Sequence, residues 1–134
     1  MKTLTIRQTW AWLIANGYKD IENRTWRTSY TGPCLIHTSA RFDATEYYTA
    51  MSLFVALGYC DLIGAPIPSG DLIKRQCGHI LGQCSITGCV TQSPSPWFFG
   101  PYGFTLENAV AFDDWEKYKA RGHLGFWNYE MEEK

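Results

Sequence analysis

His79-Ile80-Leu81-Gly82-Gln83-Cys84-Ser85-Ile86-Thr87-Gly88-Cys89-Val90 is the stretch whose reading decides the fold. Its apolar and β-branched residues make a strand, and Gly82 and Gly88 interrupt it as a bend or a close backbone approach does in a small barrel. Downstream, residues 104–112 and 124–131 read as further strands, with a short helical turn over 113–120 between them. Upstream, Tyr30-Thr31-Gly32-Pro33 is turn chemistry that feeds the apolar strand Cys34-Leu35-Ile36-His37. Leu4-Thr5-Ile6-Arg7 alternates as a short strand, and residues 21–26 are extended, with Glu22, Arg24 and Trp26 on one face. Two helices are expected. Residues 8–16 place Trp10, Leu13 and Ile14 at helical spacing, with Thr9 as N-cap and Gly17 as stop. Residues 43–57 start at the cap Asp43, stop at Gly58, and carry Tyr47, Ala50, Met51, Phe54 and Leu57 on one face. Residues 58–76 lack a strong period and read as a long connection. Strands wrapped round two helices give a single α+β domain over 1–134, built on a small β-barrel flanked by helices.

Composition agrees with that size. A chain of 134 residues and 15.3 kDa fits one domain, and 46% hydrophobic against 19% charged residues is a globular balance. A net charge of −1 excludes a histone-like polycation, yet the charge is uneven: +4 over residues 1–41, −2 over 42–106 and −3 over 107–134. A basic first third can attract an anionic ligand locally. Aromatic residues reach 16%, more than so small a core readily hides, so some are expected to line a pocket or surface. The five cysteines Cys34, Cys60, Cys77, Cys84 and Cys89 form no Cys-x-x-Cys pair, and no apolar leader precedes the first strand. Reduced thiols in a cytoplasmic protein are the expectation. A metal set of Cys77, His79, Cys84 and Cys89 would be split, because a strand points Cys84 and Cys89 to opposite faces. No metal and no cofactor are expected. No stretch approaches the roughly 18 apolar residues of a membrane span, so no membrane partner is expected either.

Three constellations carry chemistry. Gly17-Tyr18-Lys19-Asp20-Ile21-Glu22-Asn23-Arg24 brings an ammonium, a carboxylate and a guanidinium together after a helix. Lys19 offers a compact charge or a desolvated amine, Glu22 a hydrogen-bond acceptor or proton shuttle, and Arg24 a fork for that carboxylate or for a phosphate. The bland alternative is a salt-bridged strand edge. Pro96-Trp97-Phe98-Phe99-Gly100-Pro101-Tyr102-Gly103 is a stiff aromatic loop. Trp97 and Tyr102 are expected to stack a base there, and Phe98 and Phe99 to plug one end of the barrel. In Ile36-His37-Thr38-Ser39-Ala40-Arg41, the shared parity of His37, Ser39 and Arg41 lets all three face one cleft, whereas a lone strand histidine is more often a satisfied core residue. No Ser-His-Asp order and no Gly-rich phosphate loop is present.

Taken together these places resemble the ASCH domain family of the PUA-like superfamily. The resemblance rests on Ile6-Arg7-Gln8-Thr9-Trp10-Ala11, on the Gly-x-Lys-x-x-Glu-x-Arg signature at Gly17, Lys19, Glu22 and Arg24, and on Leu35-Ile36-His37-Thr38-Ser39. It extends to Ser95-Pro96-Trp97-Phe98-Phe99-Gly100-Pro101 and the terminal Gly125-Phe126-Trp127. It implies a PUA-like β-barrel flanked by helices, with a cleft that the signature residues face. The superfamily is associated with RNA binding and with modified bases. Some ASCH-like members are ribonucleases, and others are amidohydrolases acting on an acetylated cytidine. The amidohydrolase pattern has a threonine nucleophile three residues after the signature lysine. Here Lys19 is present and Glu22 occupies the nucleophile's position.

The expected function is a nucleic-acid-binding module that recognises RNA or a modified nucleotide in a basic, aromatic-lined cleft. Gln8, Trp10, Lys19, Glu22, Arg24, Trp26, His37, Ser39, Arg41, Trp97 and Tyr102 are its candidate ligand-binding residues. The alternative is a metal-independent ribonuclease or nucleoside amidohydrolase with Lys19 and Glu22 as its catalytic pair. A further alternative is a protein-interaction domain that docks a partner on the aromatic loop.

Overall fold

A computed structural model describes residues 1–62 and 64–131. Along the chain run β1 (Lys2–Ile6), α1 (Trp10–Ala15), β2 (Ile21–Arg24), β3 (Gly32–Thr38), α2 (Ala44–Ala56), α3 (Tyr59–Leu62), α4 (Gly70–Gln76), β4 (Ile80–Val90), β5 (Tyr102–Ala111) and β6 (Phe126–Asn128). The described strands form one mixed sheet in the order β2-β5-β4-β3-β1-β6, in which β1 and β3 run parallel and the other neighbouring pairs antiparallel. The molecule is an α+β domain on a curled, half-barrel sheet.

The curl comes from the long strand. Gly82 lies opposite Ala111, and a Cβ at Gly82 would run into the carbonyl oxygen of Val110. Register shifts between Gln83 and Ser85 and between Ile86 and Gly88 bend β4 against β5. The sheet's outer strands are thereby brought round towards each other. Trp26, just past β2, packs edge-on against Phe126 of β6 with ring centroids 5.6 Å apart.

Two apolar cores meet at α1. Ala11, Ile14 and Ala15 enter the barrel core with Leu4, Ile36, Ile86 and Phe104. Trp12 and Leu13 enter a second core with Phe54, Ile73 and Trp97. A helix of six residues is too short to be stable alone, and burial on both sides holds this one. Gly17, at φ +82, ends it in the left-handed region, as expected.

Three expectations need correction. Residues 58–76 are not a bare connection, because α3 and α4 lie within them. Ser69 caps α4 by accepting a hydrogen bond from the Leu72 amide at 3.1 Å, and Ile73 is buried. Thr9 does not cap α1 through its side chain. Its backbone sits at φ 44 and ψ −53, which turns the hydroxyl into the interior, without a partner among the described residues. The last strand covers Phe126–Asn128 rather than 124–131, because it pairs only with Lys2, Thr3 and Leu4. The cap at Asp43 stands as expected, accepting from the Glu46 amide at 3.0 Å. No helix among the described residues is long and apolar enough to cross a membrane.

Candidate functional site

β6 pairs with β1 only as far as Leu4, so Thr5 and Ile6 lie beyond it, facing the outer strand β2 across an unzipped seam. Arg24 bridges that seam in place of a ladder bond, and the rest of the network orients it. Arg24 Nη2 donates to the Thr5 carbonyl at 2.7 Å, and Arg24 Nε donates to Glu22 Oε2 at 3.1 Å. Lys19 Nζ donates to the Ile21 carbonyl and, at 3.2 Å, to Glu22 Oε1. Strand alternation arranges this. Ile21 goes into the second core, while Glu22 and Arg24 share the opposite face of β2, as the sequence predicts.

The network is nearly dry. Lys19 is 3% exposed and Glu22 7%. Burial pushes the Lys19 amine below the usual lysine range, and the Glu22 carboxylate opposes that shift. One carboxylate between two cations leaves a net positive charge in the seam. The Lys19 ammonium also lies 5.8 Å from the centroid of the Trp10 ring.

Above the network is a hollow of about 250 Å³ walled by Trp10, Lys19, Glu22, Asn23, Glu46 and Phe99. Arg7 lies at its rim and pairs with Glu46, Nε to Oε2, at 3.0 Å. The Arg7 side chain is 70% exposed, so this bridge is weak and easily exchanged for another anion. Two further concavities share Arg7. One of about 280 Å³ runs along Arg24 and Trp26, and one of about 560 Å³ holds Gln8, Ser39 and Arg41. Ser39 Oγ donates to Gln8 Oε1 at 2.9 Å, which fixes both side chains at that groove.

The aromatic loop reaches the hollow, though not by the expected ring. Asn23 fastens it: its Oδ1 accepts from the Phe99 and Gly100 amides at 2.7 and 3.0 Å, and its Nδ2 donates to the Trp97 carbonyl at 3.0 Å. So held, Trp97 is 1% exposed and belongs to the second core, so it offers no face to a ligand. It packs behind Trp10, edge to face at 6.4 Å, and its Nε1 finds the Tyr59 hydroxyl at 3.4 Å. Phe99, expected as a plug, is 65% exposed and walls the hollow. Tyr102 opens β5 and lines a separate groove beside Arg27. Trp26 keeps an edge on the Arg24 concavity, but its ring packs against Phe104 and Phe126 in the barrel core.

His37 does not join Ser39 and Arg41. A register shift at Ile36 and His37 breaks the assumed parity, and the ring is fully buried. Its Nε2 lies 2.7 Å from the Ala120 carbonyl, which can only accept, so Nε2 carries the proton. Nδ1 then accepts from Thr5 Oγ1 at 3.1 Å, and that hydroxyl accepts from Trp127 Nε1 at 3.0 Å. Burial lowers the His37 pKa, with the Ala120 bond opposing. A folded-state value below the ordinary one means that the unfolded chain binds more protons as pH falls. His37 therefore contributes stability that is present above its ordinary value of about 6.5 and is lost as pH drops below it. Denaturant midpoints should fall between pH 7.5 and pH 5, and less steeply in His37→Gln; equal slopes would remove His37 as the cause.

Arg7, Asn23, Glu46 and Phe99 are site residues that the sequence reading missed. Glu46 has a visible signal, since an acidic residue three after the cap Asp43 marks a helix start. That signal gives its place on α2 and not the hollow beneath it.

A family model described as the ASCH domain matches residues 4–125. No curated protein matches the chain.

Proposed function

The chain belongs to the ASCH domain family, and on that footing we propose that it binds nucleic acid, seating one nucleotide of RNA or a modified nucleotide in the seam hollow. The PUA-like superfamily to which this family belongs is often linked to RNA binding. The observation that carries the reading is the pairing of a buried, net-positive Lys19–Glu22–Arg24 network with two aromatic walls, Trp10 and Phe99, around one small hollow. A base enters against Trp10 and Phe99, a contact worth about 1–3 kcal/mol for a stacked base. Glu22, with each oxygen already held by one cation, presents its remaining lone pairs to a donor edge of that base. Lys19 is a positioning residue, too enclosed to be a phosphate clamp. Arg7, released from Glu46, and Arg41 in the adjoining groove meet phosphate or sugar. The five free thiols fit a reducing, cytoplasmic setting.

Trp10 forms a wall of the hollow, so binding is readable as a change in tryptophan fluorescence. Titration with RNA oligomers and with nucleosides at low salt should give a saturable signal that weakens as salt rises. No saturable change with any of them ends the reading.

A second reading is favoured by one observation, the lowered Lys19 pKa beside a carboxylate acceptor. It makes the pair the acid and base of a metal-independent ribonuclease or nucleoside amidohydrolase. Turnover in EDTA that vanishes in both Lys19→Ala and Glu22→Gln would establish it; persistence in both would attribute the activity to a contaminant.

A further inference from the structure

The seam is not the end of the concave surface. Arg24 and Tyr102 stand directly opposite each other across the β2–β5 ladder, so their side chains leave the same face with Cβ atoms roughly 5 Å apart. Arg24 walls the seam, and Tyr102 walls a further open groove of about 590 Å³ between the 27–31 segment and the end of β4. One cross-strand pair thus joins the two concavities.

The chemistry of this second groove is distinct. The Arg27 guanidinium carbon lies 5.8 Å from the Tyr102 ring centroid, which holds the guanidinium over an aromatic face. Among the described residues Arg27 has no carboxylate partner, unlike Arg7 and Arg24. Among the described residues no acidic side chain lines the groove; its polar lining comes from hydroxyls and an amide, including Thr28, Thr31, Thr91 and Gln92. An unpaired, pre-stacked guanidinium among hydroxyls suits a phosphodiester and its sugar. Arg27 follows Arg24 by three residues, with a bend at Thr25 and Trp26, a span of at most about 11 Å that keeps this cation within reach of the neighbour of a nucleotide seated at Glu22.

Resting on the nucleic-acid reading above, we infer that the Arg27–Tyr102 groove is a second subsite, which binds the phosphate and sugar of the next nucleotide. The ligand is therefore a single-stranded polynucleotide and not a free nucleotide. The run Arg41, Arg7, Arg24, Arg27 then tracks its backbone, with the seam hollow reading one base. An open groove of this kind fits a strand laid along it better than a small molecule, which buries most of its surface in its pocket.

The test compares a nucleoside monophosphate with a short single strand, in RNA and in DNA arms, on the whole chain at low salt. The native protein should bind at least one of the strands about tenfold more tightly than the monophosphate, as an added charged contact and sugar contacts allow. In Arg27→Ala that ratio should fall severalfold, and the dependence of strand affinity on salt should lose about one phosphate's worth of slope. Arg27→Lys should restore the slope, and Arg27→Glu should push the ratio lower still. Arg27 is exposed, so these variants are expected to fold, which a thermal melt of each checks. Equal affinity for strand and monophosphate in the native protein overturns the inference and leaves the seam reading standing. So does an Arg27→Ala variant with unchanged strand affinity and slope. If neither ligand binds, the seam reading falls and this one with it.

Discussion

Glu22→Leu should destabilise the protein by about 3–5 kcal/mol, the usual cost of leaving a buried charge without its partner. The neighbouring Lys19→Met should cost less, about 1–3 kcal/mol, the scale of two lost buried hydrogen bonds. The asymmetry follows from the geometry. Among the described residues Glu22 is the carboxylate held between these two cations: Lys19 reaches Oε1 at 3.2 Å, and Arg24 reaches Oε2 at 3.0 Å. Removing it strands an ammonium whose side chain is 2% exposed, with a guanidinium beside it and only the Ile21 carbonyl as acceptor. Removing Lys19 leaves the Glu22–Arg24 pair intact and electrically balanced, and methionine fills much of the vacated space. A pH signature accompanies the first variant. Without Glu22 the opposition to desolvation disappears, so the folded-state pKa of Lys19 drops further. Between that value and the ordinary lysine value of about 10.4 the unfolded state binds more protons, so stability rises with pH and part of the loss is recovered in alkali. Urea midpoints and slopes at neutral and alkaline pH measure both effects. Equal losses for the two variants would show that the network is no more than a surface ion pair.

Much of this architecture is legible along the chain because it is local. Asp43 announces α2, and the apolar spacing of Ala50, Met51 and Phe54 gives its buried face. Gly82 and Gly88 mark the strand that must bend. By contrast α3 and α4, of four and seven residues, contain too few turns for a period to emerge, and only the cap at Ser69 signals them. Thr9 fails for another reason. Its cap chemistry is favourable, but the tight entry from β1 into α1 forces a positive φ that swings the hydroxyl inward.

The site divides along the same line. Lys19, Glu22 and Arg24 are legible because six consecutive residues and the alternation of one strand place them together. Arg7 and Glu46 come from elements that meet β2 only after the sheet has curled, and that curl is set by register shifts some sixty residues away. His37 shows the limit of parity. One irregularity in the β3–β4 register moves it from a cleft to a buried hydrogen-bonded chain with Thr5 and Trp127.

The loop 96–103 supplies the second large effect, a division of labour between two adjacent rings. Trp97→Ala should destabilise the protein by about 3–5 kcal/mol, as emptying a buried large aromatic site does. The indole lies nearly parallel to Tyr59 at 6.2 Å and edge-on to Trp10 at 6.4 Å, and its Nε1 supplies the Tyr59 hydroxyl. Its loss opens a cavity directly behind the wall of the hollow. Phe99→Ala should shift stability by less than about 0.5 kcal/mol, because the ring is mostly in solvent. The same change should weaken nucleic-acid binding by the equivalent of about 1–3 kcal/mol, since the ring is held in place by the two Asn23 bonds to its loop and is lost as a preorganised stacking face. Two milder variants separate the roles. Trp97→Phe keeps an aromatic filler and should bind as the native chain does; Phe99→Tyr keeps the stacking face and should do likewise. Thermal or denaturant melts alongside RNA titrations read all four. If Trp97→Phe lost binding while Phe99→Ala kept it, the indole would have to reach the ligand after all. The Trp10–Trp97 contact would then have to open on binding, a rearrangement that Asn23 opposes by gripping the same loop at both the Trp97 carbonyl and the Phe99 amide.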